Sequence, residues 1–294
     1  MKRRLDLSGM FVLVVGVVAL VAAGLAFTSC AAEEAPEPGD TTALERTPQD
    51  PRLVRPGQLT IGTGDPVYPP WMLHDDPARG EGFENAMVYA LAEELGFSPE
   101  QVVWERGLTF DQTIAPGPKP FDFSIRQISV TAERQQILDF SIVYFQPDKA
   151  VIALPGSDVV NATSFADLRR ARWGATIGTT DLDYLENILG VSNVAVFDDQ
   201  AGTFQAMQGG LIDATVAALP SAIFATGVQV PEAEIVALLP PDPHDTGHGL
   251  LFEQGNTLVD WVNEGLQAII DRGVVNDLIE QYLLPEGDIP EIAG

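Results

Sequence analysis

The sequence predicts an α/β protein with two domains of the same rhythm. Apolar strand-like runs alternate with amphipathic stretches, giving β-α-β-(α)-β-α-β up to about Leu154 and β-α-β-α-β again from about Ser157 to Leu239. Glycines, prolines and aspartates punctuate these segments at the expected turns. The length, 294 residues, accommodates one large core or two medium ones. Strands that alternate with helices in this way form a largely parallel sheet in each domain.

The first residues stand apart from the fold. Lys2, Arg3 and Arg4 precede an uncharged apolar run from Met10 to Phe27, which ends at Thr28-Ser29-Cys30. This is the layout of a secretory signal (residues 1–30), and the run is also long enough for an uncleaved membrane helix. Cys30, the only cysteine, resembles the lipidated cysteine of a bacterial lipobox, although Phe27 stands where an aliphatic residue such as Leu is usual. A lipoprotein, an uncleaved anchor and an ordinary secreted product all place the folded part outside the cytoplasmic membrane. Residues 31–56, rich in Ala, Glu, Pro, Gly, Asp and Thr, read as a flexible tether.

The folded part opens with the strand Leu59–Thr63, broken at Gly64-Asp65-Pro66 and followed by the rigid aromatic turn Val67-Tyr68-Pro69-Pro70-Trp71. Met87, Val88, Leu91, Ala92 and Leu95 recur at helical spacing over 84–96, and Gly96 closes that helix. Val102–Trp104 is a strand, 110–120 a turn-rich passage, and 150–154 a strand. The second domain reads as a capped helix at Ser164–Leu168, strands at 172–177, 194–197, 213–218 and 235–239, and helices at 182–189, 202–208 and 220–228. A strand at Gly249–Phe252 and helices over 256–272 and 274–284 complete the chain.

Charge narrows the partners. A formal net charge of -26 argues against nucleic acid or an anionic membrane surface as the partner of the folded part. An anionic ligand must enter against this field, so local cations matter, and only three lysines exist: Lys2, Lys119 and Lys149. With one cysteine no internal disulfide forms.

The stretch Phe121–Phe145 concentrates the chemistry. A short alternating strand, Phe121–Ile125, runs into the polar residues Arg126, Gln127 and Ser129, and Thr131 with Glu133 and Arg134 then reads as a helix-opening turn. A strand end feeding a helix N-terminus offers backbone donors and a guanidinium to an anion. The plainer alternative is an ordinary turn with a solvated arginine.

Together with Gly64–Trp71, Gly82-Phe83-Glu84, Gly178-Thr179-Thr180, Gly210–Ala214 and the Val274–Tyr282 helix, this stretch resembles the extracellular solute-binding proteins of ABC importers, polar-amino-acid class, over about residues 57–290. The resemblance implies a two-lobed periplasmic-binding-protein-like fold, with a two-segment hinge near 146–150 and 240–249 that closes on ligand. Lobe one is then 57–147 plus 247–294, and lobe two 148–246. It implies that Arg134 grips a ligand carboxylate with Ser129 beside it and Thr180 opposite, that Asp65 and Tyr68 form a first-loop pair, and that Tyr68, Trp71 and Phe110 wall the ligand's body. Gln127 and Thr176 complete the set. Alternatives stay open: core packing for Trp71 and Phe110, a turn cap for Asp65, and an ion pair with Glu133 or Asp139 for Arg134.

Two positions depart from the family. Ala218 stands where an aspartate usually pairs with the ligand's α-ammonium, and Arg126 replaces a small or neutral residue. Both changes point to an acidic amino acid or small organic carboxylate, unless Arg126 points away and Asp181 or Asp198 holds the amine. The expected activity is capture without chemistry or cofactor by a monomer that delivers to ABC permease subunits and touches the membrane through its lipid anchor alone. A dehydratase-type enzyme on the same fold and a ligand-sensing lipoprotein are the rivals. His74, His244 and His248 show no metal spacing, and Ser221 lacks a nucleophile-elbow surround.

Overall fold

A computed structural model describes residues 46–283 and 289–292; the signal-like segment, Cys30 and the tether up to residue 45 lie outside the described residues. In chain order the elements are β1 (Leu59–Thr63), α1 (Phe83–Glu94), β2 (Val102–Arg106), α2 (Phe110–Ile114), β3 (Phe123–Ser124), β4 (Leu138–Phe145), β5 (Lys149–Ala153), α3 (Phe165–Leu168) and β6 (Gly174–Thr176). There follow α4 (Thr180–Asp183), β7 (Ala195–Phe197), α5 (Gln200–Gln208), β8 (Ala214–Ala218), α6 (Leu219–Phe224), β9 (Glu234–Leu238), β10 (His248–Glu253), α7 (Val259–Asp271) and α8 (Val274–Tyr282). Single π-helical turns, Tyr184–Ile188 and Ala225–Gln229, extend α4 and α6. Among the described residues no helix is long and apolar enough to cross a membrane.

The first lobe is built on a five-stranded sheet in the order β2-β1-β3-β10-β4. Leu59 and Ile61 of β1 pack with Met87, Leu91 and Phe83 of α1 and with Trp261, Leu266 and Ile269 of α7 in one core. The second lobe carries a β8-β5-β9 sheet and a β6-β7 pair, with Trp173, Tyr184 and Leu185 at its centre. The sheets are mixed instead of mostly parallel. β1 pairs parallel with β2 and β3, and β6 with β7, but β10 is antiparallel to β3 and β4, and β5 to β8 and β9. A parallel sheet needs each crossover to return the chain to the same end. Here the chain changes sheet between β4 and β5 and again between β9 and β10, and the strands beside those changes run counter to their neighbours.

The tether is shorter than its composition implies. Asp50 is fully buried, Leu53 joins the first core, and Arg52 donates to Asp50 through Nε and Nη2 (2.9 and 2.7 Å) and to the Thr257 carbonyl (2.6 Å). Asp122 ties this segment to β1, accepting from the Val54 and Thr60 amides at 2.7 and 2.6 Å. One leucine and one internally paired arginine are enough to order a stretch that reads as low in apolar content. At the other end Ile292 is buried in the second core, and its amide donates to Leu238 at 3.0 Å. The last described residues therefore lie along β9 of the second lobe, although 247–294 was expected in the first.

Gly82 places the start of α1. Its φ is +107°, and a Cβ there would lie 2.6 Å from the Trp71 carbonyl oxygen, so no side chain fits. The next residues put Glu84 fully inside the first lobe. Its Oε1 accepts from the Gln127 amide (2.8 Å) and the Tyr144 hydroxyl (2.5 Å), and its Oε2 from Gln127 Nε2. These bonds hold Gln127 at φ +55°, a left-handed conformation uncommon for a side-chain-bearing residue. Burial pushes the Glu84 carboxyl up to about 7, against the opposing effect of these bonds.

Two outcomes follow. A chain beginning at residue 58 is less stable than one beginning at residue 46 by about 2 kcal/mol or more, the loss expected from removing a buried leucine with its packing; denaturant unfolding measures it. Because Glu84 has a higher pKa folded than unfolded, the folded protein holds an extra proton from about pH 4.5 to 7, and stability falls as pH rises through that window. Glu84→Gln removes up to about 3 kcal/mol of this pH dependence, read as a flatter plot of melting temperature between pH 5 and 8.

Candidate functional site

A cavity of ≈ 170 Å³ lies between the two lobes. It is smaller than the pockets that take drug-sized molecules and suits a small metabolite. Residues 63–72, α2 and the 126–134 stretch line one side; Lys149, 176–181, 199–204 and Ser221 line the other; Asp245 and His248 come from the returning segment. All ten residues expected at the site line this one cavity: Asp65, Tyr68, Trp71, Phe110, Arg126, Gln127, Ser129, Arg134, Thr176 and Thr180.

Arg134 is the most constrained of them. Thr131 makes the expected cap-type bond, its Oγ1 accepting from the Arg134 amide at 3.2 Å, but only one 3-10 turn, Arg134–Gln136, follows before β4. The helix N-terminus expected to offer donors to an anion is absent, because Leu138 onwards is drawn into the sheet beside β10. The guanidinium itself is buried. Nη1 donates to the Ser129 carbonyl (2.6 Å), and Nη2 crosses the cavity to the Gly178 carbonyl (2.8 Å), which a left-handed turn at φ +73° presents. Neither Glu133 nor Asp139 takes this charge; Asp139 instead accepts from the Gly255 and Asn256 amides. Two of five guanidinium N–H groups are engaged by backbone carbonyls. Burial lowers the Arg134 pKa, with Asp245, Asp183 and Asp181 opposing.

The aromatic wall serves packing and lining together. Trp71 is 2 % exposed and packs on Phe83, Phe145 and His248, yet its Nε1 donates across the cavity to Ser221 Oγ at 2.8 Å. Phe110 has the guanidinium carbons of Arg126 and Arg134 at 5.5 and 5.6 Å from its ring centroid, within cation–π range. Arg126 does not point away: it lines the cavity, with Nη1 donating to the Leu108 carbonyl (2.9 Å) and to Thr113 Oγ1 (3.3 Å). Asp65 is neither a turn cap nor a free acid, since Arg106 Nη2 donates to it at 2.9 Å.

A second polar cluster was not anticipated. Lys149 Nζ lies 2.9 Å from both Thr180 Oγ1 and Asp181 Oδ1 and 3.3 Å from Asp245 Oδ2. The same Asp245 oxygen accepts from Ser129 Oγ (2.7 Å) and Thr180 Oγ1 (2.9 Å), and these two hydroxyls are 3.2 Å apart. Burial raises and Lys149 lowers the Asp245 carboxyl, and the net shift is downward, so it is ionised. His248 is buried with Nδ1 unpartnered, and burial holds the ring neutral with a pKa near about 3. Of the acids weighed for an ammonium, Asp181 lines the cavity but is paired with Lys149, while the lining includes Asp199 in place of Asp198. Only the scarcity of lysine singled out Lys149 in the sequence, and nothing marked Asp245 among the turn residues around it. Among the described residues no group of three or more potential ligands is placed to hold a metal ion.

Comparison with known proteins agrees with this architecture. The chain is 29% identical over 161 residues to the L-cystine-binding protein TcyJ of Escherichia coli K12, a match covering 54% of this chain and 58% of that protein, so it spans little more than half of that relative's length. It is 22% identical over 244 residues to a probable histidine-binding protein of Neisseria gonorrhoeae, covering 80% and 86%. Among solved structures it is similar to an ancestral arginine-binding protein bound to arginine (TM-score 0.65, 24% identity, 78% and 99% covered). It is also similar to the GluR0 ligand-binding core from Nostoc punctiforme in complex with L-glutamate (TM-score 0.62, 22% identity, 77% and 100% covered). At these identities the structures establish the shared two-lobed fold. Residues 59–285 match the family "Bacterial extracellular solute-binding proteins, family 3", and the chain belongs to that family.

Proposed function

We propose that this protein is the ligand-capturing component of an ABC importer, taking up an amino acid or related small carboxylate by closure of its two lobes, without chemistry. The observation that carries this reading is the buried guanidinium of Arg134 beside Ser129 and Thr180, with unused N–H groups in a cavity walled by Tyr68, Trp71 and Phe110. The lobes are residues 58–147 with 247–283, and 148–246 with 289–292, joined through 146–150 and 240–248. The ligand is enclosed as they close, and the closed face is presented to the permease subunits. Binding of amino acids by the named relatives supports the ligand class. Each cavity carboxylate already has a partner: Arg106 for Asp65, Lys149 for Asp181 and Asp245, and the start of α5 for Asp199. That commitment favours capture over acid–base catalysis. Cys30 is the proposed lipid attachment that holds the monomer at the outer face of the cell membrane.

A thermal-shift screen of amino and organic acids tests the reading. A true ligand at a hundred times its Kd adds about 2.7 kcal/mol of stability, and a screen with no shift from any of them argues against it. With the ligand in hand, calorimetry on Arg134→Ala is expected to show a loss of about 10- to 150-fold in affinity, the worth of a charged hydrogen bond. Arg134→Lys recovers little of it, because a point charge cannot reproduce the planar fork.

A further inference from the structure

Lys149 opens β5 and Ala218 closes β8, and the two are direct partners in the antiparallel ladder. Partners in such a ladder project on the same face, here the face that lines the cavity. Ala218 stops at its Cβ, whereas Lys149 reaches into the space beyond. Its Nζ has three oxygens around it, from Thr180, Asp181 and Asp245, and an ammonium has three N–H groups to give. The side chains of Lys149 and Asp245 are both about nine-tenths buried, at 11% exposure each. The cavity thus contains a complete ammonium-binding arrangement, and the protein's own lysine fills it.

We propose that Lys149 is the specificity-determining residue of this site: it occupies the ammonium position, so the cavity prefers small carboxylates with no amine beside the carboxyl group, such as 2-oxo and 2-hydroxy acids, over α-amino acids. This rests on the carboxylate reading of Arg134. An incoming α-ammonium finds Asp181 and Asp245 already paired with Lys149, and it meets the lysine's charge at close range. An amine-free carboxylate avoids that repulsion and still has the free N–H groups of Arg134. Arg126, partly buried in the lining of the same cavity, adds a further cation.

Calorimetry on the full chain with matched pairs tests this: L-glutamate against 2-oxoglutarate, L-leucine against 4-methyl-2-oxopentanoate, and L-phenylalanine against phenylpyruvate. The expected result is at least tenfold tighter binding of the amine-free member in every pair that binds, together with a shift of tenfold or more toward the amino acid in Lys149→Ala. Lys149→Gln, which keeps most of the side-chain volume, is measured alongside in case the alanine variant fails to fold. Tighter or equal binding of the amino acid by the unmodified chain overturns the proposal and leaves carboxylate capture intact. An amine-free preference that persists in the folded Lys149 variants also overturns it. Binding of no compound in any pair overturns the proposal and counts against the carboxylate reading as well.

Discussion

The cavity is organised by the need to satisfy one buried guanidinium. A cation taken out of water is costly unless its N–H groups find acceptors, and Arg134 finds them on the carbonyls of Ser129, nearby in sequence, and Gly178, 44 residues further along the chain. Meeting that need fixes the end of the 126–134 stretch against the Gly178 turn. The same constraint brings the Ser129 and Thr180 hydroxyls within 3.2 Å of each other and sets Phe110 beside the charge. Removing the guanidinium would leave carbonyls from both lobes without a donor, so the group that lines the cavity is also one that joins its two sides.

The cations that line the cavity stand against a chain of net charge -26 and are sheltered from it. Arg126 and Arg134 are enclosed by protein, which lowers their pKa values but also keeps solvent and surface acids from screening them. Burial works against Lys149 too, yet Asp181 and Asp245 outweigh it and its pKa is raised. The three positive groups are therefore not equivalent. The two arginines retain unused N–H groups, whereas the lysine is fully committed to the wall it came from.

How much of this was legible depended on whether the signal was local. Helical spacing identified α1 from Met87, Val88 and Leu91, which are buried in the core, and the short apolar runs at Leu59–Thr63 and Phe121–Ile125 identified β1 and the place of β3, both of them buried throughout. The ten residues expected at the site all line the cavity, and they lie in motifs of a few residues that could be read locally. Local reading went astray at Thr131, where a good cap precedes only one turn: the pull of β4 into the sheet outweighed the cap. It also went astray at 46–56, where Leu53 and the Arg52–Asp50 pair do little alone but find a prepared surface on β1 and Asp122. Trp71 and Phe110 appeared to require a choice between core and site, and the structure uses both for both.

The sequence by itself determined the α/β rhythm, the family resemblance, the placing of Arg134 among the cavity-lining residues and the two atypical positions, Arg126 and Ala218, since each is a matter of residue type at a place in a short pattern. Tertiary structure alone decided strand direction, where the ordered chain begins and ends, and what faces Ala218. Those depend on segments far apart in the chain becoming neighbours: β10 inserted between β3 and β4, residues 290–292 along β9, and Asp245 reaching Lys149 across 96 residues. No periodicity encodes such a meeting; it follows from how two sheets share one chain.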